Sequence, residues 1–240
     1  MNIVADNSYT RALHALRGEL PRPTAIAVVS AHWETPGVWV NTPERPITIR
    51  DFYNFPHGLY KIEYPCKGAP GLAGQTARKT GAQEATRRGL DHGAWAVLHH
   101  LYPDADIPVF QISLDTRKTP QEHFELAKEL AFLRDAGVLV IGSGDIVHNL
   151  GLMDRTRVDA PATSWALAFE AAVKEALLRG DDRALIDFTA FEGAALSCPT
   201  AEHYLPLLYI AALRRSGEAA RFVYEGFQHA TVSMSCLQVG

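Results

Sequence analysis

The sequence is short of most features that place a chain quickly. Its three cysteines, Cys66, Cys198 and Cys236, are an odd count with no CxxC spacing. They suggest neither a disulfide framework nor a thiolate zinc site. There is no excess of positive charge: the formal net charge is −4 and the pI about 6.2. No basic stripe runs along the chain, so no nucleic-acid partner is expected. No apolar run approaches the ~20 residues of a membrane span. The opening MNIVADNSYTRAL has no cationic segment followed by an apolar core, so it does not read as a signal peptide. A GxSxG elbow, an HExxH pair, repeats and low-complexity tracts are missing as well. GSGD at 142–145 lacks the Lys and Ser/Thr of a P-loop and the full GxGxxG spacing. These absences point to a reduced, cytoplasmic protein with no membrane or nucleic-acid partner, a monomer or small homo-oligomer.

What is present is a chain of 240 residues, 47% hydrophobic, enough for one sizeable core. Residues 25–33, AIAVVSAHW, are apolar and β-branched until they reach His32. They read as a buried parallel strand with an imidazole at its carboxyl end, where open α/β sheets bind ligands. Residues 138–148, VLVIGSGDIVH, repeat the pattern and end at His148. Further strands are expected at 37–42, 109–114, 221–224 and 231–239. Helices are expected at 8–19, 69–80, 94–102, 120–136 and 162–179, with a short one at 181–187 and one at 201–215 capped by Thr200. Residues 89–93 read as a turn and 190–201 as a loop. Residues 43–68 form a long loop dense in Pro, Gly and aromatics, a pattern of lids and binding loops. Alternating strands and helices predict an α/β fold, a single domain over 1–240 with a central, largely parallel or mixed sheet flanked by helices.

Ten histidines are the unusual feature. Imidazole is a common metal ligand and the usual acid–base group near neutral pH. Taken alone, His32 is better explained by a strand-end ring bonded to backbone than by a site. His148 follows two glycines and precedes Asn149, and reads equally as a site or a structural histidine. His203 falls in the first turn of an expected helix, where the positive helix end disfavours a protonated imidazole; a neutral, metal-ready ring fits, and so does plain surface placement. His92, in GLDHGAW, is an acid–base candidate or a plain turn residue. His57 lies in the aromatic loop and is placed to reach a pocket. His99 and His100 share a helix, one buried and one exposed, while His14, His123 and His229 read as solvated or packing residues.

Together His32, His92, His148 and His203 make the family recognisable. The segments LPRPTAIAVVSAHWET, IRDFYNFPHGLYKIEYPCKGAP, GLDHGAWAVLHHLYPDADIPVFQISLD, GSGDIVHNL and SCPTAEHYLPLLYI resemble the LigB-type extradiol ring-cleavage dioxygenases, in the DOPA 4,5-dioxygenase-like branch. They span nearly the whole chain in the family's order. The resemblance implies a non-haem metal enzyme that inserts both atoms of O2 into a catechol. Fe(II) is the metal of active enzymes, and zinc is often the bound metal. It implies metal binding by His32, His148 and His203, with His148 also a candidate base and His92 near the substrate. Family members carry an amino-terminal HGSP-like segment that supplies another metal-binding histidine. This chain begins at Met1, just after the matching position, so the expectation is an upstream start or a ligand set one histidine smaller. Two other readings stay open: a zinc-dependent hydrolase on the same scaffold, and a binding protein that has lost a metal ligand.

Overall fold

The computed structural model describes residues 2–240. In chain order the elements are α1 (Ser8–Glu19), β1 (Ala25–Thr35), β2 (Trp39–Asn41), α2 (Pro70–Thr80), β3 (Gln83–Ala85), α3 (His92–Leu101), β4 (Val109–Asp115), α4 (Pro120–Lys128), α5 (Ala131–Asp135) and β5 (Val138–Ser143). They continue with α6 (Ser164–Arg179), α7 (Asp182–Ile186), α8 (Ala194–Ser197), α9 (Leu205–Ala212), β6 (Ala220–Tyr224), β7 (Phe227–Gln228), β8 (Val232–Ser233) and β9 (Cys236–Val239). The chain divides into two compact units. One is residues 1–118 with 129–143; the other is 119–128 with 144–240.

The first unit is built on a mixed five-stranded sheet in the order β3-β2-β4-β1-β5. β1 lies between β4 and β5 and is parallel to both, with Ile26 opposite Val109 on one side and Leu139 on the other. A strand paired on both edges and covered on both faces must be apolar throughout. Residues 25–31 are accordingly all buried. β2 is antiparallel to β4 and parallel to β3, which makes the sheet mixed. Helices flank it, and the main core gathers Ile26 and Val28 of β1, Trp95 and Leu98 of α3, and Phe52 and Tyr64 of the long loop.

The α/β architecture expected from the sequence is the one observed, with four instructive differences. The helix expected over 120–136 is two helices, α4 and α5. The chain passes from one unit to the other between Lys128 and Glu129, and each half packs its apolar face in its own unit. The helix expected over 201–215 is shorter, because Pro206 lacks an N–H and is tolerated only in a first turn. It therefore occupies the opening of α9, and Thr200 caps nothing; its hydroxyl donates to Glu202. The loop expected over 190–201 contains α8. α3 starts at His92, two residues before the expected start, because Asp91 caps it by accepting from the Ala94 N–H at 3.1 Å.

The second unit packs α4 and α9 together. His123 of α4 is fully buried, its Nδ1 2.9 Å from the Tyr209 hydroxyl of α9. Two small antiparallel pairs, β6 with β9 and β7 with β8, complete it.

Exposed ion pairs such as Arg11 with Asp6 contribute little to this fold. Asp115, at the end of β4, is different. It is 4% exposed and accepts from the Gly37 N–H at 2.8 Å and the Arg117 N–H at 3.1 Å. Burial alone would raise its carboxyl, but the bonds from the Arg117 side chain, Gly37 and Arg117 backbone outweigh it and bring it to about 2. A depressed carboxylate stabilises above its unfolded pKa and loses that contribution as pH falls toward the folded value. Asp115→Asn is therefore expected to cost about 1–2 kcal/mol at pH 7, allowing for solvent around the exposed Arg117. The gap in urea unfolding between variant and parent narrows by roughly half at pH 3.

Candidate metal centre

Two groups of potential metal ligands emerge among the described residues, one in each unit. In the second unit Asp145, His148 and His203 bring ligand atoms within 4.8 Å of one another. The segment after β5 starts with Gly144, and a Cβ there would sit 2.1 Å from the His203 carbonyl oxygen. Only glycine allows that approach, and the Asp145 N–H uses it to donate to the same carbonyl at 2.9 Å. His148 is held by its backbone: its N–H donates to the Ser197 carbonyl at 2.9 Å, and it bridges to Val232. Asn149 donates from its side chain to the Leu196 carbonyl at 2.8 Å, which fixes the residue beside it.

The His148 and His203 rings are stacked, 3.5 Å between centroids and 10° from parallel. Burial, then the adjacent His203 charge, pushes His148 down to about 4, so its imidazole is neutral at pH 7 and fit to ligate. His203 Nδ1 lies 3.0 Å from Glu202 Oε1, and that bond is the main cause of the Glu202 carboxyl falling to about 2. A carboxylate on one imidazole nitrogen directs the other toward a metal. Asp145 is only partly buried as a residue, yet its carboxyl is surrounded by protein. Burial pushes it up to about 7, with His203 pulling weakly the other way. A desolvated carboxylate beside two imidazoles is a donor set that suits a divalent cation, and N/O sets of this kind are found in non-haem iron centres.

In the first unit the cluster is His32, Asp51 and His92. The pairing of β1 with β4 shifts between Val29 and Glu34, and His32 sits in that irregular stretch and is exposed. Such bulges re-aim a side chain out of the sheet. His92 opens α3, and its ring lies 3.9 Å from that of His32, centroid to centroid. A Cβ on Gly93 would come 2.4 Å from Ser30 Oγ and 3.0 Å from His32 Cδ2, so glycine is what lets α3 approach β1. Asp51 accepts from the His92 N–H at 2.9 Å and stands 3.1 Å from His92 Nδ1. Burial opposes its ionisation, but the bonds and charge of His92 prevail and hold its carboxyl below the usual range.

The structure thus pairs His32 with His92 and His148 with His203. His57 is exposed at the start of a short 3-10 turn in the long loop. Only part of that loop is core: Phe52 and Tyr64 are buried, while Tyr53 is 81% exposed. Asp51, Asp145 and Glu202 were not singled out in the sequence. Each is an acidic residue next to a more conspicuous motif, and only contact reveals it.

Adding a methyl group at Gly144 forces the 144 and 203 backbones apart. Gly144→Ala is expected to destabilise the protein by roughly 1–3 kcal/mol and to weaken zinc binding in a competition titration. Gly71→Ala, which meets nothing within 4 Å, leaves both unchanged.

Comparison with known proteins agrees with this chemistry. Residues 4–236 match the family model for the catalytic LigB subunit of aromatic ring-opening dioxygenase. The chain is 42% identical to a 4,5-DOPA dioxygenase extradiol of Escherichia coli K12, covering 100% of this chain and 91% of that one. It is 39% identical to one of Beta vulgaris over 78% of this chain and 71% of that one. A crystal structure of an uncharacterized protein from Escherichia coli K12 superposes with a TM-score of 0.85 at 37% identity, covering 99% of this chain and 94% of that one. The chain belongs to the LigB family and is an extradiol, aromatic ring-cleaving dioxygenase.

Proposed function

We propose that the substrate is a DOPA-like catechol, that the metal is Fe(II), and that His32, His148 and His203 are the metal-binding histidines. The observation that carries this reading is the stacked pair His148 and His203, one neutral by burial and the other oriented by Glu202. When bound, Fe(II) supplies open positions for the two catechol oxygens and for dioxygen, and the electronic activation of both. The relatives named 4,5-DOPA dioxygenase support the choice of catechol. Zinc would fit the same imidazoles without redox chemistry, so zinc as the bound metal is part of the proposal only for an inactive form.

The protein's own groups position the substrate and move its protons. His92, backed by Asp51, takes a catechol hydroxyl proton at Nε2. Phe52 stands edge-on to the His92 ring at 5.6 Å, and so limits the ring's freedom and excludes water on that side. His148 is a second neutral imidazole able to accept a proton where it does not ligate. No helix among the described residues is long and apolar enough to cross a membrane. Cys66, Cys198 and Cys236 form no disulfide, which suits a cytoplasmic setting. We take 1–240 as one catalytic domain, working as a monomer or small homo-oligomer.

The test is oxygen uptake by the anaerobically iron-loaded protein. With DOPA it is expected to consume one O2 per catechol and to generate the absorbance of an opened ring. Iron-loaded protein that retains iron yet takes up no oxygen with any catechol overturns the assignment of metal and substrate. His203→Ala is expected to lower iron content and turnover together. His148→Gln separates two roles: lost iron marks a ligand, whereas retained iron with turnover reduced by about 10²-fold or more marks a base.

A further inference from the structure

We propose that Asp51 is a positioning residue for His92: its carboxylate holds the imidazole in the Nδ1–H tautomer and so presents Nε2 as the acceptor nitrogen. This rests on the reading that His92 handles the substrate proton.

One oxygen, Asp51 Oδ1, makes both contacts. It accepts from the His92 backbone N–H at 2.9 Å and lies 3.1 Å from His92 Nδ1. The Nδ1 atom is buried and completes no hydrogen bond among the described residues; the Asp51 oxygen is its polar neighbour at 3.1 Å. The proton location nevertheless follows. A bare Nδ1 would set its lone pair against a carboxylate oxygen in a buried place, with nothing between them. A protonated Nδ1 turns the same contact into a charge-assisted bond. The second nitrogen then carries the lone pair.

The neighbours serve this arrangement. Phe52, next in sequence to Asp51, meets the His92 ring edge-on at 86°, so residues 51 and 52 hold the ring from two sides. The helix itself is held by a different carboxylate. Asp91 caps α3 through the Ala94 N–H and is tied to β1 by the Ser30 hydroxyl at 2.8 Å. Asp91 therefore places the helix start, and Asp51 decides which nitrogen of His92 faces outward. In the sequence, Asp51 stands 41 positions before His92, in a loop whose aromatics draw attention away from it.

Long-range 1H–15N NMR of protein labelled at histidine reads the tautomer directly, in the metal-free and the zinc-loaded chain. Wild-type His92 is expected as Nδ1–H with an unprotonated Nε2. An Nε2–H tautomer in the wild type overturns the proposal before any variant is made. Asp51→Asn offers an amide donor to Nδ1, and is expected to shift the ring toward Nε2–H. Iron-loaded Asp51→Asn is expected to lose about 10²-fold in kcat with DOPA, with KM changed less than about 3-fold. Asp51→Glu is expected to restore the Nδ1–H signature and part of kcat. An Asp51→Asn protein with wild-type circular dichroism and an unchanged tautomer overturns the proposal. A shifted tautomer with unchanged kcat in both Asp51→Asn and His92→Gln supports the role of Asp51 and overturns instead the proton-handling role of His92.

Discussion

The first unit depends on a carboxylate with no exposure to water. Asp91 is 0% exposed, and it accepts from the Ser30 hydroxyl of β1, the Gln111 side-chain amide of β4 and the Ala94 N–H of α3. A carboxyl group in such a place is costly unless its oxygens are satisfied. Here three donors from three elements satisfy it, so the sheet and the helix are held in one register by a single group. Gly93 is the steric counterpart, since any side chain there would strike Ser30 and His32. The placement of His32 beside His92 follows from these two constraints.

The second unit solves the same problem by another route. There the close approach is backbone to backbone, Gly144 against His203, and the side chains it brings together are desolvated imidazoles. Burial is the main cause that lowers His148, and the His203 ring stacked 3.5 Å away adds to it. Each cluster also has a carboxylate on one imidazole nitrogen: Asp51 at His92 and Glu202 at His203. A carboxylate so placed favours one tautomer of His92 and of His203, which reduces the reorganisation needed on binding.

Legibility varied with the range of the interaction concerned. The buried run of β1 was plain, because a central parallel strand must be apolar on both faces and AIAVV leaves no alternation to misread. The end of α6 was plain for a local reason: Gly180 takes φ 70° and closes the helix. The start of α9 was misplaced because Thr200 has the chemistry of a cap, while the limit set by Pro206 acts further along. The split of 120–136 had no local sign, since its apolar spacing is continuous.

The sequence by itself determined the alternation of strands and helices, the family, and the four histidines, His32, His92, His148 and His203, proposed to carry its chemistry. Periodicity, glycine punctuation and residue type act over a few positions, so a linear reading can reach them. The tertiary structure decided which histidine meets which, and that the Asp51 carboxylate stands behind His92. Asp51 reaches His92 across 41 positions, and the Asp145 backbone N–H reaches the His203 carbonyl across 58. Such pairings are settled only when the sheet register and the glycine-permitted approaches bring distant segments within hydrogen-bond distance, because hydrogen-bond geometry depends on distance in space and not along the chain.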